Sequence, residues 1–173
     1  LSMKGDAEEG APRSGGRYKI RQFRADDAED LAEVFRSAVH GIASRFYTPE
    51  QINAWCPGAP PAAAIGQKLS DGRAAWVAVD EEGAPAAFID LETDGHIDML
   101  FCHPRAAGQG AAAALYGRLE TAALRQGLKL LYVEASEAAR GFFERQGFAV
   151  DRRREFERSG VKLHNYRMAK ILG

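Results

Sequence analysis

The residues with the most evident chemistry lie between Pro104 and the Ala-rich run that begins at Ala111. There the loop Arg105-Ala106-Ala107-Gly108-Gln109-Gly110 follows an apolar stretch, Ile97 to Cys102, and leads into Ala111 to Gln126. In that run Leu115, Leu119, Ala122 and Ala123 share one face at helical spacing. Strand, glycine loop and helix N-terminus in this order bring free backbone N–H groups and the positive end of a helix dipole to one point. Such a point binds phosphate without a cationic side chain. Glycine suits it because a bulkier residue would crowd the approach of the anion to the peptide.

The rest of the chain supplies elements to position this loop. Residues 1–17 are rich in Gly, Ser, Pro and charge and read as a flexible arm, with Leu1-Ser2 before Met3 resembling an expression remnant. Residues 18–173 read as one domain. Tyr18 to Phe23 alternates as a first strand. Asp26 or Asp27 can cap a helix over 28–42, with Leu31, Val34, Phe35, Ala38, Val39 and Ile42 on one face. Thr48-Pro49-Glu50-Gln51 has the composition of a helix start. Pro60 to Leu69 holds a third helical piece. Ala74 to Val79 and Pro85 to Leu91 form a hairpin, and Asp94-Gly95 turns into a strand over His96 to Cys102. Beyond the central helix, Leu128 to Val133 is a buried strand, parallel to its predecessor because a helix connects them. Ser136 caps a helix ending at Gly147, and Ala149 to Glu157 with Val161 to Ile171 closes the chain as a hairpin. The pattern predicts an α/β fold: one domain with a mixed, mostly antiparallel sheet of about seven strands flanked by helices.

Composition narrows the function. With 173 residues, 46% hydrophobic and 27% charged, the chain has the make-up of an ordinary globular domain. A formal net charge of -1 gives no overall field for nucleic acid or an anionic membrane. Arg152-Arg153-Arg154 is the densest basic spot, but Asp151, Glu155 and Glu157 surround it, so it reads as a solvated strand face. Cys56 and Cys102 suggest neither a disulfide framework nor a metal-ligand spacing. No run approaches the ~20 apolar residues of a membrane span, and a cytoplasmic location is the expectation.

Two motifs together resemble the Gcn5-related N-acetyltransferase family. The first is a strand ending in V-x-P, then two residues, then Q/R-x-x-G-x-G/A opening a helix. Here Cys102-His103-Pro104 stands for V-x-P, and Ala107-Gly108-Gln109-Gly110-Ala111-Ala112 for the loop, with Ala107 in place of the usual Gln or Arg. The second, N-x-x-A-x-x-[apolar]-Y-x-x-x-G-F, is matched in spacing by Ser136, Ala139, Phe142, Phe143, Gly147 and Phe148.

The resemblance implies an acyl-CoA-dependent N-acetyltransferase that moves an acetyl group from acetyl-CoA to a primary amine by direct attack in a ternary complex. Backbone amides of Ala107, Gly108, Gln109, Gly110, Ala111 and Ala112 would take the pyrophosphate. Main chain near Phe101, Cys102 and His103 would bond pantetheine, and Ser136, Arg140 and Phe143 would form the opposite wall. A lysine-like amine must lose a proton first, at a cost of about 4.6 kcal/mol at pH 7. The family's usual base position falls on His96, with Asp98 on the same side two residues on. Either could equally be a solvated polar residue beside a turn. The usual acid, a tyrosine, is replaced by Phe143, which leaves Tyr166 on the last strand as the candidate, or a core residue there. Partners implied are a small-molecule or peptide amine, without metal, nucleic acid or membrane, and with a homodimer left open. The departures at Ala107 and Phe143 keep a second reading in play, a non-catalytic acyl-CoA-binding sensor.

Overall fold

In a computed structural model that describes residues 17–173, the strand expected over His96 to Cys102 is broken, and the break organises the molecule. The expectation for the N-terminal arm falls, apart from Arg17, outside the described residues. The elements run β1 (Lys19–Gln22), α1 (Ala28–Gly41), α2 (Pro49–Trp55), α3 (Ala62–Leu69), β2 (Ala74–Val79) and β3 (Pro85–Leu91). Then follow β4 (His96–Ile97), β5 (Leu100–Cys102), α4 (Ala111–Arg125), β6 (Leu130–Ala135), α5 (Glu137–Arg145), β7 (Ala149–Arg158) and β8 (Val161–Ile171). The fold is α/β, as the pattern predicts, but with eight strands in two four-stranded sheets, β1-β2-β3-β5 and β4-β6-β8-β7.

β4 pairs in parallel with β6, placing His96 opposite Tyr132 and Ile97 opposite Val133. β5 pairs antiparallel with β3, Ala87 opposite Cys102 and Ile89 opposite Leu100. One stretch of chain thus begins in one sheet and ends in the other. The transfer occurs at Asp98-Met99, whose amides both point at a side chain: Asp90 Oδ1 accepts the Asp98 N–H at 3.0 Å and the Met99 N–H at 2.8 Å. Asp90 is fully buried on β3, and the Arg73 guanidinium donates to its other oxygen at 2.5 Å. A buried carboxylate with three donors substitutes for the ladder that the bulge interrupts. Sequence alternation gave no sign of this, because β3 is buried at every position and Asp90 is its one ionisable residue.

α4 and α5 cover one side. Leu115, Leu119 and Ala123 of α4 meet Ile89, Leu91, Leu131, Val133 and Met168, and Phe143 and Phe148 close that core. On the other side Leu31, Val34, Ile65 and Leu69 of α1 and α3 pack on Val77 and Phe88. The start of α2 follows its expected capping chemistry. Thr48 Oγ1 accepts the Gln51 N–H, and Gln51 Oε1 accepts the Thr48 N–H at 2.9 Å.

Candidate functional site

The glycine loop is built as the residue types suggest. Pro104–Ala106 forms a single 3-10 turn, with the His103 ring nitrogen accepting the Arg105 N–H at 3.1 Å. Gly108 and Gly110 then take φ of +72° and +86°, values that L side chains rarely adopt. A Cβ at either glycine would meet no protein atom within 4 Å, so the backbone conformation rather than crowding requires glycine there. Gly110 caps α4, and the first helical bond it accepts comes from Ala114 at 3.0 Å. That leaves the amides of Ala111, Ala112 and Ala113 without a helical acceptor. Gln109 folds back, its amide donating to the Arg105 carbonyl at 3.0 Å and its oxygen accepting from Tyr18 and Arg17 at 3.3 Å each. Arg105 is engaged with Asp80 and the Pro85 carbonyl. The hydrogen-bond donors left free at this loop are therefore main-chain N–H groups.

Beside this loop, from Cys102 and Ala112 onward, an opening runs between the two sheets; His103 and residues 107–111 do not border it. β5 is an edge strand of the first sheet, and β6 has lost its β4 partner beyond Val133, so the two edges face one another across a gap. A cavity of about 150 Å³ lies at the loop end, bounded by Cys102, Ala112, Ala138 and Phe142. A larger one of about 320 Å³ follows, bounded among others by Lys68, Asp98, Glu134, Phe143, Arg158 and Asn165. Trp55, Leu100, Phe101, Ser136 and Ala139 border both, which makes them one groove. Ser136 caps α5, its Oγ accepting the Ala139 N–H at 3.2 Å. The local sequence around Ser136 and Ala139 therefore fixes the second wall by ordinary helix capping.

The groove brings together some of the expected residues and leaves others aside. Phe101, Cys102, Ala112, Ser136 and Phe143 border it, as does Asp98. Arg140 does not; it bonds Glu144 at 2.8 Å and lies over the Tyr166 ring at 4.5 Å. Tyr166 is held beneath that guanidinium on the α5 side and does not border the groove. His96 sits just behind the wall. Its Nε2 is 2.5 Å from Glu134 Oε2 and its Nδ1 is 3.3 Å from Glu92, while its ring stacks on Tyr132. Glu134 itself faces the groove. Sequence reasoning passed over Glu134 as part of a linker; the available signal was an ionisable residue at the end of an apolar central strand. Lys68, Arg158 and Asn165 were also passed over, and only tertiary packing brings them to the groove.

Charge in the groove is mostly compensated. Burial raises the Asp98 carboxyl, but Lys68 at 2.9 Å and Arg73 at 3.1 Å outweigh it and hold it below the usual carboxylate range. Burial opposes a charge on His96, and the carboxylates of Glu134 and Glu92 overcome that and raise its pKa. Burial pushes the Asp90 carboxyl up despite the Met99 amide and Arg73. The Cys102 thiol is pushed up to about 11 by burial, so it is a neutral thiol at physiological pH. Glu92, His96 and Asp98 bring potential ligand atoms within 4.8 Å of one another, but Arg73 lies 3.3 Å from Glu92 and 3.1 Å from Asp98 and supplies the cation there. No helix among the described residues is long and apolar enough to cross a membrane.

A model of the acetyltransferase (GNAT) domain family matches residues 43–170. An uncharacterized N-acetyltransferase, YafP of Escherichia coli, is 33% identical over 150 residues, which cover 87% of this chain and 93% of that one. Among solved structures, a GCN5-related N-acetyltransferase from Rhodopseudomonas palustris superposes with a TM-score of 0.82 at 30% identity, over 90% of this chain and 96% of that one. A GNAT-superfamily phosphinothricin acetyltransferase from Sinorhizobium meliloti, solved with acetyl-CoA, has a TM-score of 0.72 at 20% identity, over 91% of this chain and 89% of that one. At that identity the likeness is one of fold.

Proposed function

This chain belongs to the GNAT acetyltransferase family and is an acyl-CoA-dependent N-acyltransferase, and we propose that it transfers acetyl from acetyl-CoA to a primary amine by direct attack in a ternary complex. The observation that carries this reading is the groove that runs from Ala112 in the first turn of α4, just after the Gly108–Gly110 loop, between β5 and β6 to the larger polar cavity. In this reading the amides of residues 107–112 bind the pyrophosphate. The free edges of β5 and β6 accept pantetheine as an added strand through Phe101, Cys102 and His103, with Ser136 opposite. The thioester then lies near Phe143, and the amine enters from the Asp98 and Glu134 side.

The amine nitrogen attacks the thioester carbonyl, the C–S bond breaks, and the amine's surplus proton must leave. Asp98 is a poor base, being bonded to two cations that favour its ionised form. Glu134 also borders the groove, and its hydrogen-bond partner is the histidine His96 rather than a lysine and an arginine, with Arg167 more distant at 3.9 Å. We assign proton removal to Glu134, with His96 as the residue that positions it and Asp98 as an orienting charge. The coenzyme thiolate, with a pKa near ~8.5 by analogy with cysteine, leaves without an acid because Phe143 has no proton to give. Tyr166, fixed under Arg140, has no part in this route.

The test is release of coenzyme A thiol from acetyl-CoA with a panel of primary amines, at varied concentrations of both substrates. Intersecting initial-velocity lines, and a fall of about 10² in kcat for Glu134→Gln with an unchanged KM for acetyl-CoA, are expected. Acetyl-CoA binding without turnover of any amine would favour the sensor reading instead.

A further inference from the structure

The basic run Arg152-Arg153-Arg154 takes no part in the reaction as described, and strand geometry changes what it means. In sequence its charge is diluted by Asp151, Glu155 and Glu157. In the β7–β8 hairpin, residues directly opposite share a face. Arg152 is opposite Arg167, Arg154 opposite Asn165, Phe156 opposite Leu163, and Arg158 opposite Val161. Phe156, Arg158, Leu163 and Asn165 border the larger cavity, so this is the groove-side face. The residues between them, Arg153, Glu155 and Glu157, alternate to the other face, where Arg153 pairs with Glu155 at 3.1 Å. Alternation thus separates the acids from the arginines.

The arginines left on the groove side are short of partners. Among the described residues, Arg152, Arg154 and Arg158 form no ion pair, and the nearest acid to Arg167 is Glu134 at 3.9 Å. Arg152 directly opposite Arg167 is an unfavourable like-charge pair. General basicity does not explain it, because the whole chain carries a net charge of -1. A second observation lies beside the stripe. Asn165 Oδ1 is the one buried side-chain nitrogen or oxygen without a hydrogen-bond partner among the described residues, and Asn165 borders the cavity. An unfilled buried acceptor calls for a hydrogen-bond donor, which an amine N–H can supply. A run of guanidinium groups without ion pairs offers donors that match an anion.

We propose that the acceptor is a primary amine that also bears a carboxylate or phosphate, with its N–H end on Asn165 Oδ1 and its anionic group on Arg154, opposite Asn165, or on Arg158 at the cavity. The two arginines are four residues apart on one strand, about 13 Å. The stripe therefore receives an anion close to the amine at Arg154, or one set further along an extended molecule at Arg158. Lys68, at the α3 side of the cavity, does not compete for this role because Asp98 already neutralises it. The proposal rests on the larger cavity being the acceptor site of an acetyltransferase.

The experiment compares amines in pairs that differ by one anionic group: lysine with cadaverine, phosphoethanolamine with ethanolamine, and a glutamyl-lysine with a glutaminyl-lysine dipeptide. The anionic member should have a kcat/KM higher by roughly three- to tenfold, expressed in KM and weakening as salt rises. The phosphate and carboxylate pairs separate the two sources of charge. In the double variant Arg154→Ser, Arg158→Ser the preference should collapse toward one, while the circular dichroism spectrum and the acetyl-CoA thermal shift stay as in the parent. Equal use of neutral amines, or a preference that survives the double variant, overturns the proposal. If no amine is acetylated, the acetyl-transfer reading is what fails. The stripe is then judged by thermal stabilisation with inorganic phosphate and citrate, which the parent should show and the double variant should lose; no stabilisation of the parent would overturn it too.

Discussion

At the scale of single residues, His96 links the groove to pH. Its ring lies between the carboxylates of Glu134 and Glu92, which raise its pKa in the folded chain above the ordinary histidine value. A group with a raised folded pKa contributes stability fully below its unfolded pKa, about 6.5, and loses that contribution as pH rises through the folded value. His96→Gln should therefore cost on the order of 1 kcal/mol at about pH 6 and progressively less toward about pH 9. In a chain of this size that is a loss of roughly 2–4 °C in Tm at the lower pH. Melting curves of both proteins across that range check the sign. A deficit that grows with pH would mean that His96 is held neutral between the two carboxylates.

At the scale of elements, the decisive feature is the break between β4 and β5. It turns what would be one sheet into two, and the groove is the gap. Its construction depends on the Asp90 carboxylate taking two amides and the Arg73 guanidinium at once. Asp90→Leu would leave the Asp98 and Met99 N–H groups without their acceptor and take from Arg73 one of its four carboxylate partners, with Asp71, Glu92 and Asp98 remaining, which should cost about 2–5 kcal/mol. Asp90→Asn keeps an oxygen for both amides and should cost less. The two variants also separate stability from positioning. Amide exchange at Asp98 and Met99 should quicken sharply in the leucine variant and little in the asparagine one, and KM for acetyl-CoA should follow the same order. Equal exchange in both would show that the bulge persists without the carboxylate.

This break also marks where the sequence stopped being informative. The Thr48 and Ser136 caps and the order of strands and helices depend on neighbours within a few residues, and each was legible. The parallel relation of β6 to the preceding strand followed from a connection rule. The split of His96 to Cys102 depends on Asp90 and Arg73, which reach it from other strands, so no periodicity within the segment could reveal it. The same holds for Glu134, Asn165 and Arg158: their chemistry lies in which face they share, and pairing decides that. The basic run lies on a strand with Arg152 and Arg153 exposed, as its composition suggested, but which of its arginines share a face with Asn165 depends on pairing with β8.

At the scale of the whole molecule, the two sheets touch through little continuous hydrogen bonding. β4 joins the second sheet by two residues, and β5 joins the first by three. α4 and α5 bind the halves from one side through the Leu115, Leu119 and Phe143 core. A pantetheine chain lying between β5 and β6 would add a bridge at the opening itself, and this gives the acetyl-CoA reading a mechanical consequence. At a ligand concentration of about 100 times Kd, binding to the folded state alone raises stability by about 2.7 kcal/mol. For a chain of this length that corresponds to a rise in Tm of roughly 5–11 °C. Location distinguishes the groove from the loop. Adenosine 3′,5′-bisphosphate, which lacks pantetheine, should leave the exchange of the Leu100–Cys102 and Glu134–Ser136 amides unchanged. Acetyl-CoA should slow it at those positions, because only the full coenzyme supplies partners to the free edges. Slowed exchange confined to residues 107–113 with both ligands would place acetyl-CoA on the loop alone, and the gap between the sheets would then need another occupant.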